Sequence, residues 1–276
     1  MSHYPEAFLK GRSTFIAGGT SGINLGIAKL YASLGADVCV LSRSQDKVDK
    51  AVAEISDLSA GGGVLGFSAD VRDYDGVSAA LKEAAEKHGP LDAVISGAAG
   101  NFMAPAAGLS SNAFKTVVDI DLLGTFNVLR AAFDVAKKPG ASFMNISAPQ
   151  GGNPYFGQAH VCAAKAGIDM LTKCLALEWG AVGIRVNAIV PGPIEGTEGM
   201  ERLAPTPEVR KFVELSVPMG RYGSTEEIGD MAVFLASDAS AYVSGCILSC
   251  DGGQSLSGGG ALNPSLLGAF MQKAAK

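Results

Sequence analysis

The sequence contains no run of about 20 apolar residues, the length that a membrane-spanning helix requires. It has no surplus of positive charge either, because 22 lysines and arginines face 27 aspartates and glutamates, leaving a net charge of −5. We therefore expect neither a membrane nor nucleic acid as a partner. The first residues do not show the basic and then apolar order of a signal peptide, so a cytoplasmic protein is predicted.

Cysteine is scarce and unpatterned. The five cysteines are odd in number, scattered, and embedded in apolar segments, so they form neither a disulfide framework nor a metal-ligand spacing. We predict reduced thiols and no metal. Glycine, in contrast, is abundant, with 36 residues, and 47% of the 276 residues are hydrophobic. This composition favours one large α/β domain in which backbone segments approach each other closely.

The segment 13–26 is the most informative part of the chain. Residues 13–17 are mostly apolar and predict a buried strand, and apolar residues at helical spacing begin at Ile23. The turn between them contains Gly18, Gly19 and Gly22, which permit a tight turn and a close approach of the backbone to a ligand. Free N–H groups at a helix start favour a phosphate, so a dinucleotide pyrophosphate site is predicted, although a turn without a ligand also fits the glycines.

The end of the second predicted strand indicates which dinucleotide is bound. Residues 36–42 form this strand, and Arg43 follows where an acidic residue would hold the ribose 2′-hydroxyl of NAD. An arginine accommodates a 2′-phosphate instead. This position favours NADPH.

Strands alternate with helices along the rest of the chain, which predicts a doubly wound parallel sheet with its ligands beyond the carboxyl ends of the strands. Asp70 and residues 97–101 fall at such ends, where they would meet the adenine and its ribose. Residues 196–220 contain Pro205 and Pro207 and are predicted to be irregular, within a substrate loop around 194–220. A glycine-rich tail covers 255–276. The predicted strands cover residues 13–17, 36–42, 63–67, 91–96, 141–146, 184–190 and 246–250.

The order of these motifs resembles the short-chain dehydrogenase/reductase family over about residues 10–254. The resemblance implies a single-domain Rossmann-like α/β fold, 1–276, with a doubly wound parallel sheet of about seven strands and helices on both faces. The matching motifs are Gly18-x-x-x-Gly22-Ile23, Asp70, Ala98-Ala-Gly100, Asn145-Ile146, Lys165 and Pro191-Gly192. The cofactor contacts that it implies are Gly18, Thr20, Ser21, Gly22, Ile23, Arg43, Asp70, Val71, Ala98, Ala99, Gly100, Lys165, Pro191, Gly192 and Ile194.

The family's carbonyl-reducing side chains are missing from this sequence. Val161, Ala148 and Asp121 stand at the positions of the family tyrosine, serine and asparagine. Valine and alanine cannot donate a proton to a developing oxyanion. Tyr155 lies in a loop, and His160 would point about 140° around the helix from Lys165, so neither is a convincing replacement. An ordinary ketone reductase is disfavoured.

A narrower resemblance, to the 2,4-dienoyl-CoA reductases of the peroxisomal type, accounts for these departures. It implies that Asp121 and Asp251 form an acid pair that delivers the proton through a water, and that Lys165 holds the nicotinamide ribose. It also implies NADPH, an acyl-CoA substrate that contacts Asn101, Phe102, Gly196 and Gly199, and a homotetramer formed through the two long central helices. The matching segments are 97–102, 111–121, His160 before Lys165, 177–180 and 191–199.

Other interpretations remain open at this point. Asp121 also fits a structural role, in which it fixes a kink between two helices, and Asp251 also fits a cap for the turn before Gly252. Asn24 replaces the family's third glycine, and asparagine tolerates a left-handed backbone better than most residues, so we expect dinucleotide binding to survive. Ser96 and Gly97 replace the family's paired asparagines. The chain ends in Ala-Ala-Lys rather than a peroxisomal tripeptide, so we expect a cytoplasmic protein. Another short-chain oxidoreductase for a keto or hydroxy substrate, or a catalytically silent NADP(H)-binding protein, are the alternatives.

Overall fold

A seven-stranded parallel sheet forms the centre of the molecule in the computed structural model, which describes residues 4–257. The strand order is β3-β2-β1-β4-β5-β6-β7, and every neighbouring pair is parallel. This confirms the predicted doubly wound α/β fold with helices on both faces. The strands are β1 (Ser13–Ala17), β2 (Asp37–Ser42), β3 (Val64–Ser68), β4 (Ala93–Ser96), β5 (Ser142–Ile146), β6 (Arg185–Pro191) and β7 (Ile247–Cys250).

Two helical layers cover the sheet. Because side chains alternate along a strand, Ile16 packs into one layer with α1 and α9, whereas Phe15 packs into the other with α3 and α5. Burial on both faces explains why the strands are almost continuously apolar. The helices are α1 (Gly22–Ser33), α2 (Gln45–Ser56), α3 (Tyr74–His88), α4 (Ser111–Val118), α5 (Gly124–Val135), α6 (Ala159–Trp179), α7 (Glu198–Leu203), α8 (Pro207–Ser216) and α9 (Thr225–Ala236).

The strand order reverses direction at β1, which lies between β2 and β4. The chain moves outward from β1 through β2 to β3 and then returns to β4 on the other side of β1. A crevice opens at such a reversal, because the connections on its two sides run in opposite directions. The loops after β1 and β4 border this crevice.

A π-helical turn, Asp119–Leu123, joins α4 and α5. The sequence predicted two helices joined through residues 119–121, and the structure confirms a junction there but keeps it helical. The wider turn directs Asp121 into the interior, where it is fully buried.

The prediction that residues 196–220 are irregular is wrong, because they contain α7 and α8. The side chains of Thr197 and Thr206 accept hydrogen bonds from the backbone amides of Met200 and Val209, which caps both helices. Pro207 occupies the first turn of α8, where its missing N–H costs nothing. The proline was therefore a start signal rather than a breaker.

Within residues 4–257, no helix has the length and apolar character that crossing a membrane requires. The same part of the chain has no group of three or more histidine, cysteine, aspartate or glutamate side chains placed to hold a metal ion. Most of the predicted tail, residues 258–276, lies outside the described residues.

Candidate functional site

A cavity of about 710 Å³ lies at the carboxyl ends of β1 to β5. It brings together most residues that the sequence predicted for a dinucleotide and a substrate. Pro191, Gly192, Ile194 and Gly196 are not among its lining residues, nor are Asp121 and Asp251. The predicted residues that line it are Gly18, Thr20, Ser21, Gly22, Ile23, Arg43, Asp70, Val71, Ala98, Ala99, Gly100, Asn101, Phe102, Lys165 and Gly199.

The turn between β1 and α1 has the geometry of a phosphate cradle. Gly18 has φ +80°, and a Cβ there would lie 2.8 Å from the backbone nitrogen of Ala98, so only glycine fits. Gly22 has φ +54°, and its nearest neighbour, Thr197, would be 3.8 Å from a Cβ. Ser21 makes no capping hydrogen bond among the described residues, which leaves the first amides of α1 available. The residues therefore fit a dinucleotide.

Asn24 links this turn to the loop after β4. Its Nδ2 donates to the carbonyl oxygen of Gly97 at 2.9 Å and to that of Gly18 at 3.3 Å. A Cβ at position 97 would fall 2.4 Å from the Asn24 amide. Asparagine at position 24 therefore requires glycine at position 97, so the glycine and the asparagine that the family has at these two positions are exchanged. We predicted that asparagine tolerates a left-handed backbone here. That explanation is wrong, because Asn24 lies within α1 without a positive φ.

Charged side chains border the cavity beyond β2 and β3. Arg43 and Lys47 both line it, which places two cations beside the predicted ribose. Asp70 accepts hydrogen bonds from Arg72, at 2.6 Å from Nη2 to Oδ2, and this bonding holds the pKa of the carboxyl below its usual range. Asp70 is therefore an ionised acceptor at neutral pH.

Asp121 and Lys165 form a buried pair beneath the cavity. Asp121 Oδ1 accepts from the amide of Gly100 at 2.7 Å, and Oδ2 lies 3.7 Å from Lys165 Nζ. Lys165 Nζ also donates to the carbonyl oxygen of Ile146 at 3.0 Å. Burial raises the pKa of Asp121, and the charge of Lys165 opposes that rise only in part. The site thus holds a carboxyl group with an increased tendency to stay protonated.

Asp251 lies in different surroundings. It lines a smaller cavity of about 260 Å³ together with Gly192 and Ile194. Its two carboxylate oxygens accept from the amides of Gly253 at 2.9 Å and Ser255 at 2.8 Å, so it caps the turn after β7. Burial acts to raise its pKa, but these hydrogen bonds bring the pKa below the usual value. The described structure does not join Asp121 and Asp251 by a hydrogen bond.

Comparison with known proteins agrees with this geometry. A family model described as Enoyl-(Acyl carrier protein) reductase matches residues 17–255. A peroxisomal 2,4-dienoyl-CoA reductase of Rattus norvegicus, described as (3E)-enoyl-CoA-producing, is 42% identical over 258 residues, covering 92% of this chain and 88% of that protein. The chain belongs to the short-chain dehydrogenase/reductase family.

Two further relatives show how widely the similarity extends. A "Probable 2,4-dienoyl-CoA reductase" of Bacillus subtilis, described as (2E)-enoyl-CoA-producing, is 41% identical over 246 residues, covering 88% of this chain and 96% of that protein. The crystal structure of a short chain dehydrogenase from Bacillus anthracis is 38% identical, with a TM-score of 0.79, and covers 89% of this chain and 97% of that one. The chain is thus an oxidoreductase of this family, which implies a nicotinamide dinucleotide cofactor.

The family's tyrosine and serine positions hold no proton donor in this fold. Val161 is buried against Val117 and Ala164, and Ala148 lines the large cavity. Tyr155 lies in the loop before α6, where burial raises its pKa and Asp251 adds to the rise. His160, in contrast, is fully buried with its ring centroid 4.3 Å from that of Phe102. The helical angle between His160 and Lys165 argues against a proton donor at His160, whereas the structure places His160 beside the cavity wall.

Several residues of the site escaped the sequence analysis. Ser147 donates to Asp169 at 2.5 Å, and Gln158 donates to Asn101 at 2.8 Å. Both contacts join segments that are distant in the chain, so no local sequence pattern predicts them. Lys47 had a local signal, because it lies in the first turn of α2, shortly after Arg43. The other unpredicted residues that line the cavity include Ser42, Thr116, Ile120, Glu198 and Arg202.

Proposed function

We propose that this enzyme uses NADPH to reduce 2,4-dienoyl-CoA to 3-enoyl-CoA in the degradation of unsaturated fatty acids. The observation that carries the proposal is the buried carboxyl of Asp121 beside Lys165, in a site where Val161 and Ala148 cannot donate a proton. The names of the relatives support the same substrate class. The preference for NADPH is supported by Arg43, which directly follows β2, and by Lys47 in the first turn of α2, both of which line the large cavity.

A conjugated thioester suits a site without the family tyrosine. A dinucleotide held by the turn after β1 would supply a hydride for the δ-carbon of the dienoyl group. Negative charge then collects on the distant thioester oxygen, and protonation at the α-carbon gives the 3-enoyl product. Because no alkoxide forms at the carbon that is reduced, no strong donor is needed next to it.

Asp121 is the group that we assign to hold the proton. Its pKa is raised by burial, so the carboxyl is protonated over a wider pH range than an exposed aspartate. Its free oxygen, Oδ2, is the one that faces Lys165. Lys165 binds the nicotinamide ribose and adds positive charge near the developing anion.

Asp251 plays a different part from Asp121 in this proposal. Its oxygens accept backbone hydrogen bonds and its pKa is lowered, so it acts as a carboxylate. A carboxylate can orient a water but cannot supply the proton. The acid pair is therefore unequal, with the proton held at Asp121 and the water positioned from the side of Asp251.

The test is oxidation of NADPH with a 2,4-dienoyl-CoA, using Asp121→Asn and a matched Asp119→Asn variant in the same π-helical turn. Asp119 pairs with Lys115 on the surface side, so its variant controls for damage to the turn. We expect Asp121→Asn to lower kcat by about 100-fold or more, the usual effect of losing a general acid, with NADPH binding retained. Asp119→Asn should change kcat by less than about twofold.

The product and the alternative substrates decide among the competing functions. Mass spectrometry and NMR of the product should show a 3-enoyl-CoA, whereas a 2-enoyl-CoA would move the site of protonation away from the α-carbon. Turnover of a β-ketoacyl-CoA with none of a dienoyl-CoA would replace the proposed substrate by a keto compound. Tight NADPH binding without turnover of either would indicate a catalytically silent protein.

A further inference from the structure

His160 is a buried imidazole for which the reaction described above gives no role. It is the second residue of α6 and is 0% exposed. Among residues 4–257, neither of its ring nitrogens has a hydrogen-bond partner. An imidazole carries at least one N–H donor in either protonation state, and buried polar atoms are normally paired. Two unpaired nitrogens on one fully buried ring therefore require an explanation.

Three consecutive residues of the cavity wall connect His160 to Asp121. Gly100 donates its amide to Asp121 Oδ1 at 2.7 Å, and the ring of Phe102 lies against the imidazole with centroids 4.3 Å apart. Asn101, between them, accepts from Gln158 at 2.8 Å. All three residues line the large cavity. Asp121 and His160 therefore both contact one short segment of the cavity wall.

Asp121 has unused hydrogen-bonding capacity as well. Its Oδ2 has no hydrogen-bond partner in the described part of the chain, although Lys165 Nζ is 3.7 Å away. Helix α6, which carries His160, packs against the π-helical turn that carries Asp121, and the charge of His160 acts to lower the pKa of Asp121. Buried, unpaired polar atoms on elements that pack against each other commonly share an internal water.

We propose that His160 returns a proton to Asp121 after each turnover, across one water held between the imidazole and Oδ2. This inference rests on the proposed function of Asp121 as the proton donor. Once Asp121 has protonated the α-carbon, one N–H bond of the doubly protonated ring breaks and an O–H bond forms on Oδ2 through the water, which leaves a neutral imidazole. The ring then regains a proton from solvent, and no electrons are transferred. Phe102, which covers the ring, is itself 40% exposed, so solvent is one side chain away.

A test that does not depend on activity uses NMR of the enzyme labelled with ¹⁵N at histidine, in its NADP⁺ complex. The chain has only 3 histidines, and loss of signals in His160→Gln identifies those of His160. We expect Asp121→Asn to shift the His160 nitrogen resonances and Asp251→Asn to leave them in place. His160 nitrogen resonances that stay unchanged in Asp121→Asn would overturn the proposed proton relay, whichever substrate the enzyme uses.

Kinetics test the relay in the reaction itself. His160→Phe keeps an aromatic ring against Phe102, and we expect kcat with dienoyl-CoA to fall about tenfold or more while KM for NADPH stays within about twofold. The solvent isotope effect on kcat should increase, because reprotonation becomes limiting, and the rate of hydride transfer in a single turnover should change little. His160→Gln, which keeps a donor and an acceptor, should recover part of kcat.

His88 provides the matched control. It is also a histidine with a buried, unpaired ring nitrogen in the described structure, but it lies at the end of α3, 3.6 Å from Asp37. His88→Phe should leave kcat and the isotope effect unchanged. Equal losses in His88→Phe and His160→Phe would indicate a packing role and overturn the proposal. A wild type that shows the NMR coupling but no dienoyl-CoA turnover would preserve the His160–Asp121 pair and refute the proposed substrate.

Discussion

At the scale of single residues, Asn24 and Gly97 show how one site keeps its shape with exchanged side chains. Gly97→Asn alone would place a Cβ 2.4 Å from the Asn24 amide. We expect this variant to lose at least about 2 kcal/mol of unfolding free energy and most of its NADPH affinity, because overpacking displaces the loop. Asn24→Gly alone should also lose affinity, since the carbonyl oxygens of Gly18 and Gly97 lose their donor.

The double variant Asn24→Gly with Gly97→Asn restores the family's arrangement and should bind NADPH better than Gly97→Asn alone. Chemical denaturation and cofactor titration of all four proteins give the interaction free energy of the pair. Additive losses would mean that the two positions act independently and that the contact through Nδ2 does not hold the loops together.

The same scale shows which site residues a sequence can reveal. Gly18, Gly22 and Arg43 were predictable because a strand, a turn and a helix start are adjacent in the chain, and each leaves a local pattern. Their contacts with the cofactor remain predictions. His160 escaped because its neighbours, Phe102 and Asp121, come from other segments that only the fold brings together. Helical angles measured along α6 contain no information about those segments.

At the scale of elements, the start of α9 is stabilised by a reciprocal cap. Ser224 Oγ accepts from the amide of Glu227 at 3.3 Å, and Glu227 Oε2 accepts from the amide of Ser224 at 2.9 Å. Arg221 donates to the same carboxylate at 2.6 Å. This helix packs closely on α1, where a Cβ at Gly26 would lie 2.5 Å from Thr225 Cβ. The cap therefore helps to hold the helix that begins at the cofactor turn.

Glu227→Gln tests this cap through its pH dependence. The hydrogen bond from Arg221 lowers the pKa of Glu227 from 4.5 to about 2. A carboxyl group with a lower pKa in the folded state stabilises the protein at pH values above its unfolded-state pKa, and this stabilisation is lost as the pH falls. The extra unfolding free energy of wild type over Glu227→Gln should therefore disappear between about pH 4.5 and about pH 2. The advantage at pH 7 should be about 1 kcal/mol at most, because the carboxylate is 41% exposed and screened by solvent.

Denaturant unfolding from pH 2 to 7 measures the difference. Ser224→Ala removes half of the cap but keeps the Glu227 carboxylate. Its loss of unfolding free energy relative to wild type should therefore vary less with pH. If the loss of unfolding free energy in Glu227→Gln stays constant through this pH range, the ion pair between Arg221 and Glu227 adds nothing to the cap.

The helices within residues 196–220 mark where the prediction of secondary structure failed. Thr197 and Thr206 each precede a helix and cap it, so the start signals were present in the sequence. Two prolines close together were taken as a sign of irregular chain, whereas Pro207 starts α8. The position of a proline directly after a capping threonine predicts the start of a helix, whereas the number of prolines in a segment does not.

At the scale of the whole molecule, apolar side chains exposed on the long helices support our prediction of a homotetramer. Met170 and Leu177 are 59% and 85% exposed and lie seven residues apart, on one face of α6. Leu123 and Phe126, at the start of α5, are 43% and 41% exposed. Burying one such side chain contributes about 1.5 to 3 kcal/mol, so their burial against a second copy of the chain would stabilise an oligomer.

Light scattering after size exclusion tests this assembly directly. We expect the wild type to have about four times the chain mass of 28.1 kDa, and Met170→Glu with Leu177→Glu to fall to smaller species. Leu58→Glu is the control, because Leu58 is 50% exposed but follows α2, on the opposite layer of the sheet. A tetramer that survives both glutamates would place the interface elsewhere. A monomeric wild type would show that these apolar side chains are tolerated in water and that the site acts within a single chain.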